Sequence, residues 1–374
     1  MKYRTEIDGL RAIAVIPVIL FHAGFALFSG GYVGVDIFFV ISGYLITNII
    51  YTELCEKRFS ILNFYERRAR RILPALFFIV LACVPFAYLW MLPVELKDFF
   101  QSIFSISLFI SNLLFWKETG YFGAATELKP LIHTWSLAIE EQYYVFFPVL
   151  LVILYKIRTS KSFMLAIVSG LVFVSLIASA LYTAKDPNSA FYLLPFRFWE
   201  LGIGSILAFL PPKLNKFEER IDSGLSVLGL VMIFCAVFLF DKMTPFPSYT
   251  ALLPCVGTAL VIRYASTQNL IGKFLSIKAF VKIGLLSYSL YLIHQPVFAF
   301  ARIRSFEGLT QTHYIVLILL SSILAYISWK YVEAPFRNKR VFDAKKIFAL
   351  SAIGLVGLLV LGGGEPTKTA FLIV

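Results

Sequence analysis

Arg11 and His22 stand eleven positions apart in a segment that is otherwise almost entirely apolar, from Ala12 through Val18 to Phe21. At about 100° per residue, eleven steps return to nearly the same face of a helix, about 16 Å further along its axis. A cation at the edge of an oily helix and an imidazole within it are costly at membrane depth, where ionisable groups usually face a protein interior or a wet cavity. The imidazole suits general-base work on a hydroxyl, because its ordinary pKa lies near neutrality. The turn that follows, Ser29-Gly30-Gly31-Tyr32-Val33-Gly34-Val35-Asp36, brings a carboxylate back toward the depth at which His22 left off. In a catalytic reading Asp36 holds one imidazole tautomer and raises its basicity. In a structural reading His22 bonds a backbone carbonyl and Asp36 caps the second helix.

Five further clusters carry charge or hydrogen-bonding groups. Arg67, Arg68, Arg70 and Arg71, ahead of Ile72-Leu73-Pro74, place four guanidiniums in five positions. Each offers a planar fork to phosphate oxygens, and Arg68 and Arg71 share a helix face. Anchoring to anionic lipid is the alternative. His133, Trp135, Glu140 and Glu141 open another apolar run. The two carboxylates point about 100° apart, so at least one of them faces water or a cation. Arg197 and Glu200 form an i, i+3 pair that reads as a structural ion pair, and Gly202 and Gly204 read as helix-packing glycines. Tyr288 and His294, within Ser287-Tyr288-Ser289-Leu290-Tyr291-Leu292-Ile293-His294-Gln295-Pro296, either line a sugar-sized polar cavity or bond neighbouring helices. Tyr331-Val332-Glu333-Ala334-Pro335-Phe336-Arg337 closes a later run, and Pro335 is expected to stop that helix. No Walker loop, zinc-ligand spacing or Gly-x-Ser-x-Gly elbow is present, so no metal site is expected and ATP or serine-hydrolase chemistry has no support.

The elements that must position these residues are membrane helices. The chain has 374 residues, of which 59% are hydrophobic and 15% charged, with a mean hydropathy of +0.81. Apolar runs fall at about 11–28, 34–53, 73–92, 136–155, 163–183, 195–210, 224–240, 250–263, 284–303, 312–332 and 346–362. The fold class is therefore all-α, a polytopic transmembrane bundle. A further stretch, 98–116, is interrupted by Ser, Gln and Asn and is placed as a non-crossing element. With that placement, 24 of the 34 Lys and Arg fall on one side, which sets the N-terminus in the cytoplasm and the C-terminus outside. The net charge of +12 is spread over separate loops and forms no single basic stripe, so nucleic acid is not an expected partner, whereas membrane lipid is. The first helix has no cleavage site and reads as retained. Cys55, Cys83, Cys235 and Cys255 show no paired spacing and read as packing residues.

Taken together and in this order, Arg11 with His22, GGYVGVDIFFVISGYLI, the arginines before Ile-Leu-Pro, HTWSLAIEEQYY, SYSLYLIHQP and VEAPFR resemble the acyltransferase-3 family of bacterial membrane O-acetyltransferases. The resemblance implies ten core helices and a domain at 1–340. Residues 341–374 add an eleventh helix and an outward tail, similar to members that continue into an SGNH-type domain. It further implies a bacterial inner-membrane location, a periplasmic C-terminus and acetyl-CoA as donor substrate, with no permanently bound cofactor. The acceptor is a sugar hydroxyl of a surface polysaccharide on the periplasmic side, with lipopolysaccharide O-antigen favoured over peptidoglycan. By position, His22 matches the family's essential histidine, Arg11 its partner, and Arg68 with Arg71 its Arg-x-x-Arg element, although Arg67 and Arg70 fit the same spacing. Asp36 is the expected orienting acid. His133, Trp135, Glu141, Tyr288 and His294 are the expected acceptor-side residues. Direct transfer and an acyl-His22 intermediate both remain open. The rival class is a secondary transporter or flippase, in which His22, Asp36 and Glu141 relay protons.

Overall fold

The computed structural model of the chain describes residues 3–119, 126–211, 219–305 and 307–364, and among these there is no β-strand. In chain order the helices are α1 (Thr5–His22), α2 (Gly34–Cys55), α3 (Ile61–Trp90), α4 (Pro93–Ser107), α5 (Ser111–Glu118), α6 (Thr134–Ile157), α7 (Lys161–Lys185) and α8 (Pro187–Tyr192). They continue with α9 (Leu194–Phe209), α10 (Glu219–Leu239), α11 (Leu252–Tyr264), α12 (Leu270–Leu275), α13 (Lys278–Arg304), α14 (Gln311–Ile327), α15 (Ala334–Arg337) and α16 (Ala344–Gly363). Each of the eleven apolar runs is a helix. Among the described residues, eight helical stretches are long and apolar enough to cross a bilayer. The runs outside that set are α1, which carries Glu6, Asp8 and Arg11, and α9 and α11, which are 16 and 13 residues long.

The stretch 98–116 is not one element. It divides between α4 and α5, of 15 and 8 residues, each short of the roughly 20 that a span needs. The break lies at Phe109, whose φ of 54° is left-handed. There the amide of Phe109 bonds Ile106 O and that of Ile110 bonds Ser105 O, which closes the helix in the manner usually supplied by glycine. Three of the serines that interrupt the run are satisfied locally, while Ser111 donates to Thr134 O at 3.0 Å. Ser102, Ser105 and Ser107 return their hydroxyls to the carbonyls of Asp98, Ser102 and Phe104.

Pro335 does not stop its helix. The chain is continuously helical from Gln311 to Arg337, because a wide turn of π-helix at Ser328–Glu333 precedes Ala334 and Pro335. Such a turn relaxes the backbone register that a proline ring would otherwise clash with.

The helices form two compact units, one of Met1–Phe59 with Ile139–Ser287 and the other of Ser60–Ala138 with Tyr288–Val374. In unit 1, glycines let backbones touch. A Cβ on Gly43 of α2 would lie 1.8 Å from Leu201 O of α9, and one on Gly204 of α9 would lie 2.0 Å from Val40 O of α2. Gly202 makes room for the Val172 side chain of α7, 2.2 Å from where its Cβ would lie, so the packing role read from Gly202 and Gly204 holds. α1 is set against α2 by Gly34, whose Cβ would lie 2.2 Å from Ala14 O. In unit 2, α16 packs against α3 and α4: Gly354 abuts the Phe77 ring, and Gly362 abuts the Phe104 backbone. Residues of the 341–374 segment thus share a compact unit with α3 and α4.

Candidate active site

Arg11 and His22 both lie on α1, and both are half-buried. The Arg11 guanidinium reaches back one turn to Asp8 at 3.3 Å. Asp8 also accepts from the Tyr3 hydroxyl at 2.6 Å, and that bond pushes the phenol up to about 12. His22 is the last residue of α1. Its ring lies 5.2 Å from that of Phe21, which meets Tyr32 at 5.5 Å, and Tyr32 meets Phe246 at 4.8 Å. Gly31 is part of the reason this wall is close, since a Cβ there would lie 2.2 Å from Pro17 O.

Asp36 has a different partner from the one the sequence points to. It is fully buried and ion-pairs with Arg197 of α9 at 3.2 Å, while Arg197 pairs with Glu200 at 2.8 Å. The local Arg197 and Glu200 pair is therefore present, with Asp36 as its third member. The rings of Phe39, Phe191 and Phe246 each lie 5.4 to 5.5 Å from the guanidinium carbon. Two carboxylates on one guanidinium in an apolar shell make a lock between α2 and α9. On α6, Glu140 accepts from Ser42 at 2.8 Å and from Tyr144 at 3.1 Å, bonds in which its sequence neighbour Glu141 takes no part. Glu141 is half-buried in the same unit.

In unit 2 the arginine cluster of α3 divides by depth. Arg70 is buried, pairs with Glu66 at 2.7 Å and donates to Phe336 O at 3.0 Å. Arg67, Arg68 and Arg71 are half-buried. The segment that receives Arg70 is itself braced, because Glu333 accepts from Arg337 at 2.6 Å and from Ser289. Tyr288 donates to Ile72 O at 2.8 Å, one residue beyond Arg71. This bond ties α13 to α3, the helix-bonding alternative for that tyrosine.

His133 and His294 are brought together, with ring centroids 5.8 Å apart. Tyr291 sits against both rings, donates to His133 O at 3.0 Å and lies 2.7 Å from the Ser136 hydroxyl. His294 Nδ1–H donates to Tyr291 O at 2.7 Å and to Leu290 O at 3.2 Å, which leaves Nε2 as an acceptor. Trp135 is buried two residues beyond His133. Tyr291 was legible in its motif, three positions from His294, but nothing in the spacing marks it as the residue that joins the two histidines.

The Acyltransferase domain of the acyltransferase-3 family matches residues 4–330, and the chain belongs to that family. It is 32% identical over 352 residues to the O-acetyltransferase OatA of Staphylococcus aureus strain NCTC 8325 / PS 47, covering 90% of this chain and 58% of the relative. It is 33% identical over 363 residues to the peptidoglycan O-acetyltransferase OatA of Listeria monocytogenes serovar 1/2a, covering 93% of this chain and 58% of that protein. The chain thus spans less than two thirds of the length of these relatives. No solved structure matches it. Its apolar helices and its family make it a multi-pass membrane protein.

Proposed function

We propose that this chain transfers an acetyl group from acetyl-CoA to a hydroxyl of a surface glycan. The observation that supports this most directly is the family match across residues 4–330, which spans every candidate residue from Arg11 to His294. His22 accepts the proton of the acceptor hydroxyl, the oxygen attacks the thioester carbonyl, and the carbon–sulfur bond breaks as the thiolate leaves and takes up that proton. Arg68 and Arg71 hold donor phosphates. The burial of Arg70 against Glu66 and Phe336 favours this register over Arg67 with Arg70. Arg11 either joins the donor phosphates or serves Asp8 on its own helix. Asp36 acts through Arg197, as a fixed part of the wall beside Phe246, rather than as the orienting acid. The transporter reading draws no support from family or site.

On the acceptor side we place His133, His294 and Tyr291, whose rings and hydroxyl suit a sugar, together with the buried Trp135. The Listeria relative, a peptidoglycan O-acetyltransferase, moves the proposed acceptor from O-antigen to peptidoglycan. The charge distribution supports a cytoplasmic N-terminus in the inner membrane, with the acceptor reached on the opposite face.

The test is direct. Purified protein is given acetyl-labelled acetyl-CoA with either peptidoglycan fragments or O-antigen oligosaccharide, and CoA release and glycan label are both scored. Label on the peptidoglycan fragments is the expected result. Label on O-antigen alone would return the acceptor to the sequence-based expectation, and CoA release with neither glycan labelled would contradict the proposed transfer.

A further inference from the structure

In unit 1 a cavity of about 260 Å³ lies where the start of α1, the second half of α2 and the first residue of α7 approach the C-terminal ends of α9 and α11. Its polar wall is Arg4, Lys161, Arg263, Tyr44 and Asn48, and none of its lining residues is acidic. All five are half-buried. Arg4 is held by Glu6 at 2.8 Å and by the carbonyls of Ile262 and Ala265 at 2.9 and 3.1 Å, and it also donates to the Tyr44 hydroxyl at 3.3 Å. Arg263 donates to Pro211 O at 2.7 Å. Lys161 makes a long bond of 3.4 Å to Leu210 O and lies 5.6 Å from the centre of the Tyr51 ring.

Capping of helix C-termini accounts for a cation at each end. It does not account for three cations converging on one open volume. Arg4, Lys161 and Arg263 bring three positive charges and Glu6 returns one negative, so two remain uncancelled among these groups. Walls of one sign around a partly desolvated space concentrate the field and draw in an anion.

We propose that this cavity binds a phosphate group. A guanidinium fork, an ammonium, a phenol and a carboxamide offer the donor set that phosphate oxygens take, and the charge rewards an anion over a neutral sugar. The remaining wall, from the ends of α9 and α11, is aliphatic and suits the carbon moiety attached to such a phosphate. The volume is below the roughly 300–1,000 Å³ usual for larger ligands, so it fits a phosphate with a small substituent. Two sources share this chemistry, a phospholipid headgroup and a soluble phosphate. The site is built within unit 1 and assumes nothing about acetyl transfer.

The full chain, purified in a non-ionic detergent, is titrated separately with inorganic phosphate and with short-chain phosphatidylglycerol, and binding is followed by calorimetry. Saturable binding of inorganic phosphate assigns a soluble ligand, and binding confined to phosphatidylglycerol assigns a headgroup. In either case Lys161→Gln and Arg263→Gln each weaken binding about tenfold, and Lys161→Arg restores most of the Lys161→Gln loss. A second readout needs no substitution: the bound probe protects Lys161 of the unaltered protein from amine-reactive labelling, read by mass spectrometry of its peptide. Absence of saturable binding by both probes, or full labelling of Lys161 at saturation, overturns the proposal.

Discussion

In unit 1 the guanidinium of Arg197 is fully buried between two carboxylates, whereas in unit 2 Arg70 is buried against one carboxylate and a main-chain carbonyl. The first arrangement joins two helices far apart in sequence, α2 and α9, and sets two carboxyl groups against one guanidinium among aromatic rings. The second braces α3 against the end of the α14 to α15 segment with one carboxyl group. Both remove an arginine from any substrate. The contrast teaches that charge within an apolar run is an ambiguous mark of function, and that burial sorts it. Arg197 and Arg70 hold the scaffold, and the half-buried Arg11, Arg68 and Arg71 remain the candidates for contact with a substrate.

Removing the two kinds of lock separates them. Arg197→Leu leaves Asp36 and Glu200 buried together without a cation, and the expected loss is about 3–5 kcal/mol. Thermal unfolding in detergent measures it, and a loss no greater than that of Arg70→Ala would erase the distinction between the units. Arg70→Ala strands Glu66 near the end of a helix and is expected to cost about 1.5–3 kcal/mol in the same assay. Gly43→Ala probes the contact on which the Arg197 lock depends. Its Cβ would meet Leu201 O, so a loss of about 1–3 kcal/mol is expected, and unchanged stability would show that α2 and α9 separate freely. Arg68→Ala sharpens the other side of the comparison. Stability should move by less than about 0.5 kcal/mol, while acetyl-CoA affinity falls about tenfold, and unchanged affinity would return Arg68 to lipid anchoring.

The long helices were legible, because each apolar run declares itself, whereas the six-residue α8 and α12 fall outside those runs. The division between α4 and α5 was not, since it depends on Phe109 taking a backbone conformation that a bulky side chain rarely adopts. Nor was the continuation through Pro335, which the six-residue π-helical turn at Ser328–Glu333 makes tolerable and which no composition signals. Within the site, the Arg197 and Glu200 pair follows from helical spacing alone. Its link to Asp36 does not, because tertiary packing chooses the partner of a buried charge. Four arginines in five positions likewise hide which one turns inward. The meeting of His133 with His294 reads from sequence only as two separate motifs, because tertiary packing brings the turn before α6 against α13.

The central claim is that His22 performs the proton transfer. Intact membranes carrying His22→Ala, matched with wild-type membranes for protein level, are supplied with labelled acetyl-CoA and scored for label on peptidoglycan. Loss of a general base is expected to lower the rate by about 10²–10⁴-fold with the unfolding midpoint unchanged. Glycan acetylation at the wild-type rate would contradict the account.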